Sequence, residues 1–304
     1  MKLLLVIIIL VSPFFFLGII NKVKAVWAGR KGSPILQPYY DFMKLIRKGE
    51  VISRTTSFIF QAFPSISIAS AVFALLLIPF PFYGSVISFP GDFVLFAYAL
   101  AFSKFIMVLA ALDTGSSFEG MGASREATYS TIVETAFFIV VGSLALLTSQ
   151  TSFSAIFSSL SVSAGYSVLV KILLVISLFI MLLVEGSRIP VDDPNTHLEL
   201  TMIHEVMILD YSGPDLAFIL YSSGLKMTVL SILISDLVVP AFPNLLLVMA
   251  SFFLILLMIF TAIGLIESFI ARSRVSHVPQ FIFVMTALSL TAFAVIAFFL
   301  RGVK

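Results

Sequence analysis

The sequence predicts an all-α membrane protein: eight transmembrane helices, an interfacial amphipathic helix and polar cytoplasmic loops, forming a single polytopic membrane domain over 1–304. Three observations predict it. Of 304 residues, 60% are hydrophobic and 11% charged, where soluble chains carry roughly 25% charge, and the mean hydropathy is +1.14. Eight apolar stretches reach the roughly 20 residues that cross a hydrocarbon core about 30 Å thick. Lys and Arg gather on alternate connections between those stretches. The same composition excludes an all-aqueous enzyme and a nucleic-acid binder with a basic face, because the net charge is only +2. With no cysteine, the chain has no thiolates for an iron–sulfur cluster or a Cys-ligated zinc. Its three histidines are too few for a pair of bis-histidine haems.

The spans fall near 3–20, 59–80, 93–112, 129–148, 166–184, 215–236, 244–266 and 280–300. The first runs on through Phe14, Phe15, Phe16 and Ile20 with no A-x-A-like cleavage site, so it reads as a retained anchor helix rather than a signal peptide. Residues 34–48 place Leu36, Tyr39, Tyr40, Met43 and Ile46 at helical spacing opposite Asp41, Lys44 and Lys48, the pattern of a helix lying flat at the interface. Membrane lipid with anionic headgroups accounts for its charges; a shelf for a cytoplasmic partner is the other reading. The Gly- and Ser-rich stretch 113–126, DTGSSFEGMGASRE, lacks the following Lys of a phosphate loop and reads as a flexible loop, with Glu119, Arg125 and Glu126 as lining groups.

Charge sets the orientation. Lys22, Lys24, Arg30, Lys31, Lys44, Arg47, Lys48, Arg54, Arg125, Arg188, Arg272 and Arg274 all fall on one set of connections, while those near 81–92, 149–165 and 237–243 carry no Lys or Arg. The chain is therefore expected in the cell membrane with both termini outside and its polar connections in the cytoplasm. Lys2, Arg301 and Lys304 run against the rule and are outnumbered.

An ionisable group within the hydrocarbon costs roughly 2.5–3.5 kcal/mol on insertion scales, so each one asks for a partner or a job. Lys104, Glu134, Lys171, Glu185, Lys226, Asp236 and Glu267 lie in or at the ends of spans. Snorkelling to the interface accounts for Asp236, Lys171 and Glu267. Lys226, about eleven residues into its span, is expected to pair with an acid on another helix, Glu134 or Glu185 leading; a purely structural pair is the competing reading.

The densest polar segment is 185–205, EGSRIPVDDPNTHLELTMIHE. Asp193 before Pro194 is a good helix start, with the acid as cap and the proline at the first position. A helix from there puts His197, Thr201, His204 and Glu205 on one face, with Glu199 elsewhere. At i and i+7 the two histidines would stand about 10.5 Å apart along the axis, too far for one ion, and no metal site is expected. A solvated loop is the common explanation for such a run. Crowded, partly desolvated carboxylates also titrate over a spread pH range, which suits Glu185, Asp192, Asp193, Glu199 and Glu205 to passing protons.

At these residues the chain resembles a known family. The segment from Glu185 to Gly213, with E-x-x-R-x-P-x-D and then Y-S-G, is similar to the inner-loop signature of the quinone-site membrane subunit of respiratory complex I. It is closer to the membrane anchor subunit of energy-converting membrane-bound hydrogenases and formate hydrogenlyases, where RIPVDDPxTHLELTMIHE is characteristic. GMGASRE (120–126), Glu134 and ESFIARSRVSHVPQF (267–281) follow in the family's order. The resemblance implies that Glu134 and Glu185 belong to a proton path and that Arg188, Asp192 and Glu199 are inner-loop charges. Around them, Asp193, Glu205 and Lys226 would join the relay, and Arg125, His197, His204 and Glu267 would set the loop's structure and charge. The longer spacing from Leu200 to Tyr211, and His197 where quinone enzymes carry an acid, favour the ferredoxin-linked, hydrogenase-like branch.

That branch implies a subunit with no cofactor of its own, relaying redox energy to proton or sodium translocation. Its partners would be hydrophilic iron–sulfur and hydrogenase-like subunits on the cytoplasmic face, carrying the clusters and a nickel–iron site, and antiporter-like subunits in the membrane. The alternatives are a quinone-site subunit of an NADH dehydrogenase-like complex, the equivalent subunit of a sulfur-reducing sister complex, and a stand-alone secondary transporter.

Overall fold

The computed structural model describes residues 2–302 apart from 82, 161–164, 194–200 and 241. Among the described residues the chain is all-α, and its only bridge outside helices pairs Phe80 with Gly84. In chain order the helices are α1 (Lys2–Trp27), α2 (Gln37–Ile46), α3 (Phe58–Leu77), α4 (Asp92–Asp113), α5 (Ser117–Thr148), α6 (Phe153–Ser159), α7 (Gly165–Glu185), α8 (Gly213–Val238), α9 (Leu245–Phe269) and α10 (Val278–Gly302), with short 3-10 turns at Glu205–Ile208 and Val275–His277. Eight of them are long and apolar enough to cross a membrane, in the places the sequence indicates.

Burial orders the spans. In its most apolar stretch α8 is 72% buried, against 28% for α4 and for the last span, so α8 is the axis of the bundle. It packs on α3, α7, α1 and α9, while α4, α5 and α10 close the side away from α1. The seam between α1 and α9 has the Phe16 and Phe260 rings stacked at 4.5 Å and is joined at one end by an ion pair, Lys24 with Glu267. Helix α2 lies against α1 and α8 with no residue fully buried. The ring of Phe14 holds it through Tyr39 at 5.6 Å and Phe42 at 5.2 Å. This is the expected interfacial helix, shorter than 34–48 because Pro38 sits in its first turn.

Two expectations need correction, and one connection holds a helix on which the sequence reading is silent. First, 113–126 is not a flexible loop. Only Thr114–Ser116 separate α4 from α5, and the Gly-rich run is the first part of a 32-residue helix about 48 Å long at 1.5 Å per residue. Of the run's helical glycines, Gly120 borders open space and Gly122 serves packing. A Cβ on Gly122 would stand 2.3 Å from Val206 Cγ1 and 2.9 Å from the Ile203 carbonyl oxygen, so glycine lets α5 seat against 203–207. The connection 149–165 contains the short helix α6. The Ser152 hydroxyl caps it by accepting from Ala155 N, and the buried Asp92 carboxylate accepts from Phe153 N at 2.7 Å.

Second, the expected helix from Pro194 lies mostly outside the described residues, His197 and Glu199 included. The described part, 201–204, is turn and bend. The Asp192 carboxylate takes the Ile203 and His204 N–H groups at 3.1 and 2.9 Å, which draws the backbone back toward the end of α7. Thr201, His204 and Glu205 therefore do not form one helical face.

Candidate functional site

The ionisable groups that sequence scatters over four spans meet in the interior, where α4, α5, α7 and α8 converge. Lys104 on α4 is only 8% exposed and Glu185 at the end of α7 only 4%. Their ammonium and carboxylate form a direct charge-assisted hydrogen bond. The other Glu185 oxygen lies 3.4 Å from Lys226 Nζ on α8. Lys104 Nζ also lies 3.7 Å from Glu126 on α5, and the second Glu126 oxygen is 3.4 Å from His204 Nδ1. The result is a row of alternating sign, His204, Glu126, Lys104, Glu185, Lys226.

Alternation is what keeps these groups in the interior. Opposite unit charges 4 Å apart attract by about 4 kcal/mol at an effective dielectric of 20, which offsets a penalty of several kcal/mol per ion. With His204 neutral, the two lysines and two glutamates cancel. Such a row can carry charge without moving a helix: protonating Glu126 frees Lys104 to serve Glu185 alone, and Lys226 then loses part of its hold.

His204 is fixed by a clamp outside the row. Asp192, buried just after α7, accepts from the His204 N–H and from Arg272 Nη2 at 2.8 Å. Arg272 also donates to the Thr201 hydroxyl and carbonyl, and Arg125 donates to the Met202 carbonyl at 2.7 Å. Next to His204, burial pushes the Glu205 carboxyl above its ordinary range; Asp192 and Asp193 add to this while His204 and Arg188 oppose it. A second cluster ties three elements together: Glu267 on α9 takes Lys24 of α1 at 2.7 Å and Arg188 at 3.3 Å. Glu267 is therefore paired in the interior and does not snorkel. Nor does Asp236, whose carboxylate oxygens are both buried without a hydrogen-bond partner among the described residues.

Of the residues singled out by sequence, the fold brings Glu185, Lys226 and His204 into the row. It places Asp192 and Arg125 in the clamp and Arg188 and Glu267 in the second cluster. Asp193 and Glu205 flank the clamp. Glu134 is outside the row: half-buried on α5 about 12 Å along the axis from Glu126, it makes no ion pair among the described residues, and the charges of Lys104, Glu185 and Glu126 still act on it. Of the two acids expected for Lys226, the neighbour is Glu185. Two members of the row, Lys104 and Glu126, were missed as site residues. Lys104 carried a signal, a charge in mid-span with no partner assigned; Glu126 was hidden in a run that looked like loop.

A cavity of about 330 Å³ reaches the row. Asp41 and Phe42 of α2 line it together with Lys104, Lys226, Ser187 and His204. A second space of about 10 Å³ sits beside Lys104, Glu126 and His204. Among the described residues no three His, Cys, Asp or Glu side chains converge as a metal site.

The sequence profile of a family described as NADH dehydrogenase matches residues 1–297. The chain is 30% identical over 294 residues to hydrogenase-4 component C of Escherichia coli (strain K12), covering 93% of this chain and 92% of that protein. It is 31% identical over 117 residues to formate hydrogenlyase subunit 4 of the same organism, 38% of each chain. A chain in the structure of the membrane-bound sulfane sulfur reductase, an archaeal respiratory membrane complex, has the same fold, with a TM-score of 0.83 at 20% identity over 97% of this chain and 98% of that one.

Proposed function

Because the chain belongs to the NADH dehydrogenase family, we propose that it is the membrane anchor and coupling subunit of a multisubunit, complex-I-like oxidoreductase of the ferredoxin-linked hydrogenase type. The observation that carries this reading is the row from His204 to Lys226, buried, alternating in sign and attached to the clamped segment 201–205. A redox event in a soluble arm resting on that segment changes the charge or position of His204, and the row passes the change to Lys226 in mid-bundle. Near full-length similarity to a hydrogenase component supports the hydrogenase type. The chain has no cysteine, so the iron–sulfur clusters and the nickel–iron site are assigned to hydrophilic partners on the cytoplasmic face, and ion translocation to antiporter-like membrane neighbours that take over from the row and from Glu134.

Glu185→Gln in the tagged, intact complex tests the relay. The chain is expected to purify in lower yield, because Lys226 loses its acid, with hydrophilic subunits that still reduce artificial acceptors, while ion pumping per assembled complex falls by at least about a hundredfold, the order of losing a positioned proton-transfer group. Pumping at the parental rate removes Glu185 from the relay, and purification of the chain alone removes the complex.

The orientation has its own test. Single cysteines at Ser88 and Ser158 are expected to react with an impermeant maleimide from outside, and ones at Ser117 and Ser273 only from the cytoplasm. The reverse pattern inverts the topology and moves the soluble arm's docking face away from segment 201–205.

A further inference from the structure

Ser187 follows α7 and Gly186 at a position where glycine is the ordinary choice. Its φ is +52°, in the left-handed region that a residue with a Cβ enters at a cost of roughly 1 kcal/mol. Strain of this kind persists where the surrounding structure holds it, often at functional sites. Here it keeps a hydroxyl in the interior: Ser187 is 5% exposed and its Oγ has no hydrogen-bond partner among the described residues. A buried hydroxyl without a partner is itself costly. Neither its strain nor its burial is explained by a protein contact.

The two cavities supply the explanation. The 330 Å³ space and the 10 Å³ space share Ser187, Lys104 and His204 as lining residues, so Ser187 stands in the partition between them. The smaller one has the size of a single water, and its walls include Glu126, Ser130 and Asp192 as well as the shared residues. A site for one water needs two to four polar partners, and this one offers them.

We infer that Ser187 is a proton crossing, holding one water in the small cavity and joining the large cavity to the buried row at Glu126. The inference rests on the relay reading of the row. A proton arriving from water in the large cavity binds Ser187 Oγ as that hydroxyl releases its own proton to the enclosed water. The water in turn passes a proton to the Glu126 carboxylate, so that one proton enters, one is delivered, and serine and water are regenerated. Neutral Glu126 then leaves Lys104 to Glu185. Ser187 touches the moving proton, whereas the clamp only positions His204 beside it.

Three variants in the intact complex test this. Ser187→Gly removes the hydroxyl and suits the positive φ, so the complex is expected to assemble at least as well as the parent. Pumping should fall by about a hundredfold, the scale of a lost proton-transfer group, with a larger solvent deuterium isotope effect. Ser187→Ala is expected to match it. Ser187→Asn, which tolerates the left-handed region and offers polar atoms, should restore much of the loss.

A readout that needs no turnover is radiolytic hydroxyl labelling, in which a held water marks its neighbours. Tyr129 and His204 are expected to label in the parent and not in Ser187→Gly. Parental pumping in Ser187→Gly, a loss confined to Ser187→Ala, or labelling indifferent to the hydroxyl overturns the crossing. Failure of the relay reading is seen separately, as parental pumping in Glu185→Gln with labelling at Tyr129 intact.

Discussion

Replacing Lys104 by methionine is expected to leave most of the chain unassembled. Among the described residues Lys104 alone pairs with both Glu126 and Glu185, and without it two interior carboxylates face Lys226 and a histidine. Breaking a buried pair by removing one partner costs about 3–5 kcal/mol, a large part of the roughly 5–15 kcal/mol that a domain has in total. Methionine fills much the same volume, so the loss reads on charge. Native gels and a thermal melt of the solubilised complex give the measure. The double variant Lys104→Met/Glu126→Gln should recover assembly, because Glu185 keeps Lys226 and the row is neutral again, yet it should not recover pumping. Parental assembly of Lys104→Met on its own would mean that the row does not stabilise the fold.

The second large effect belongs to Asp192→Asn. The carboxylate holds the N–H groups of Ile203 and His204 on one oxygen and Arg272 on the other. The amide has one oxygen where the carboxylate has two, and its NH2 faces a donor in either orientation. Segment 201–205 is expected to come loose from the end of α7, taking His204 away from Glu126. Hydrogen exchange at Ile203 and His204 should accelerate about a hundredfold, equivalent to ~2.8 kcal/mol of local stability, while exchange in α8 stays as it was. Unchanged protection at those two amides would show that the arginines hold the segment without Asp192.

The spans and the interfacial helix were legible because each is a local property: about twenty apolar residues, or an apolar stripe at helical spacing. The acid beside Lys226 was also within reach, since a mid-span ammonium demands one and Glu185 was among the acids named. What stayed out of sight depends on packing between distant segments. Gly120 and Gly122 have the composition of a loop, and only the approach of Val206 and Ile203 reveals a helix that needs a residue without a side chain. Glu126 was read only as a group lining that loop, for the same reason. Asp193 and Pro194 make a sound local helix start, yet Asp192 spends its carboxylate on the backbone eleven and twelve residues ahead, and the described residues after 200 follow it. The cavity beneath α2 has no sequence signature, because its walls come from α1, α2, α3, α4, α8 and the segment after α7.

The separation of 81 residues between Lys104 and Glu185 makes the order of synthesis part of this chain's chemistry. A ribosome adds roughly 5–20 residues per second, so Glu185 follows Lys104 by about 4–16 s. Helix α4 therefore leaves the translocation channel with its lysine unmatched, at an insertion penalty of roughly 2.5–3.5 kcal/mol. Glu126 arrives sooner, but on a helix whose first turns gain their seat only when Val206 has been made. The nascent chain thus holds a half-finished electrostatic pattern until α7 and the segment after it emerge. In that interval α4 carries an uncompensated charge, and biogenesis rather than the finished structure sets how early a second acid near Lys104 would help.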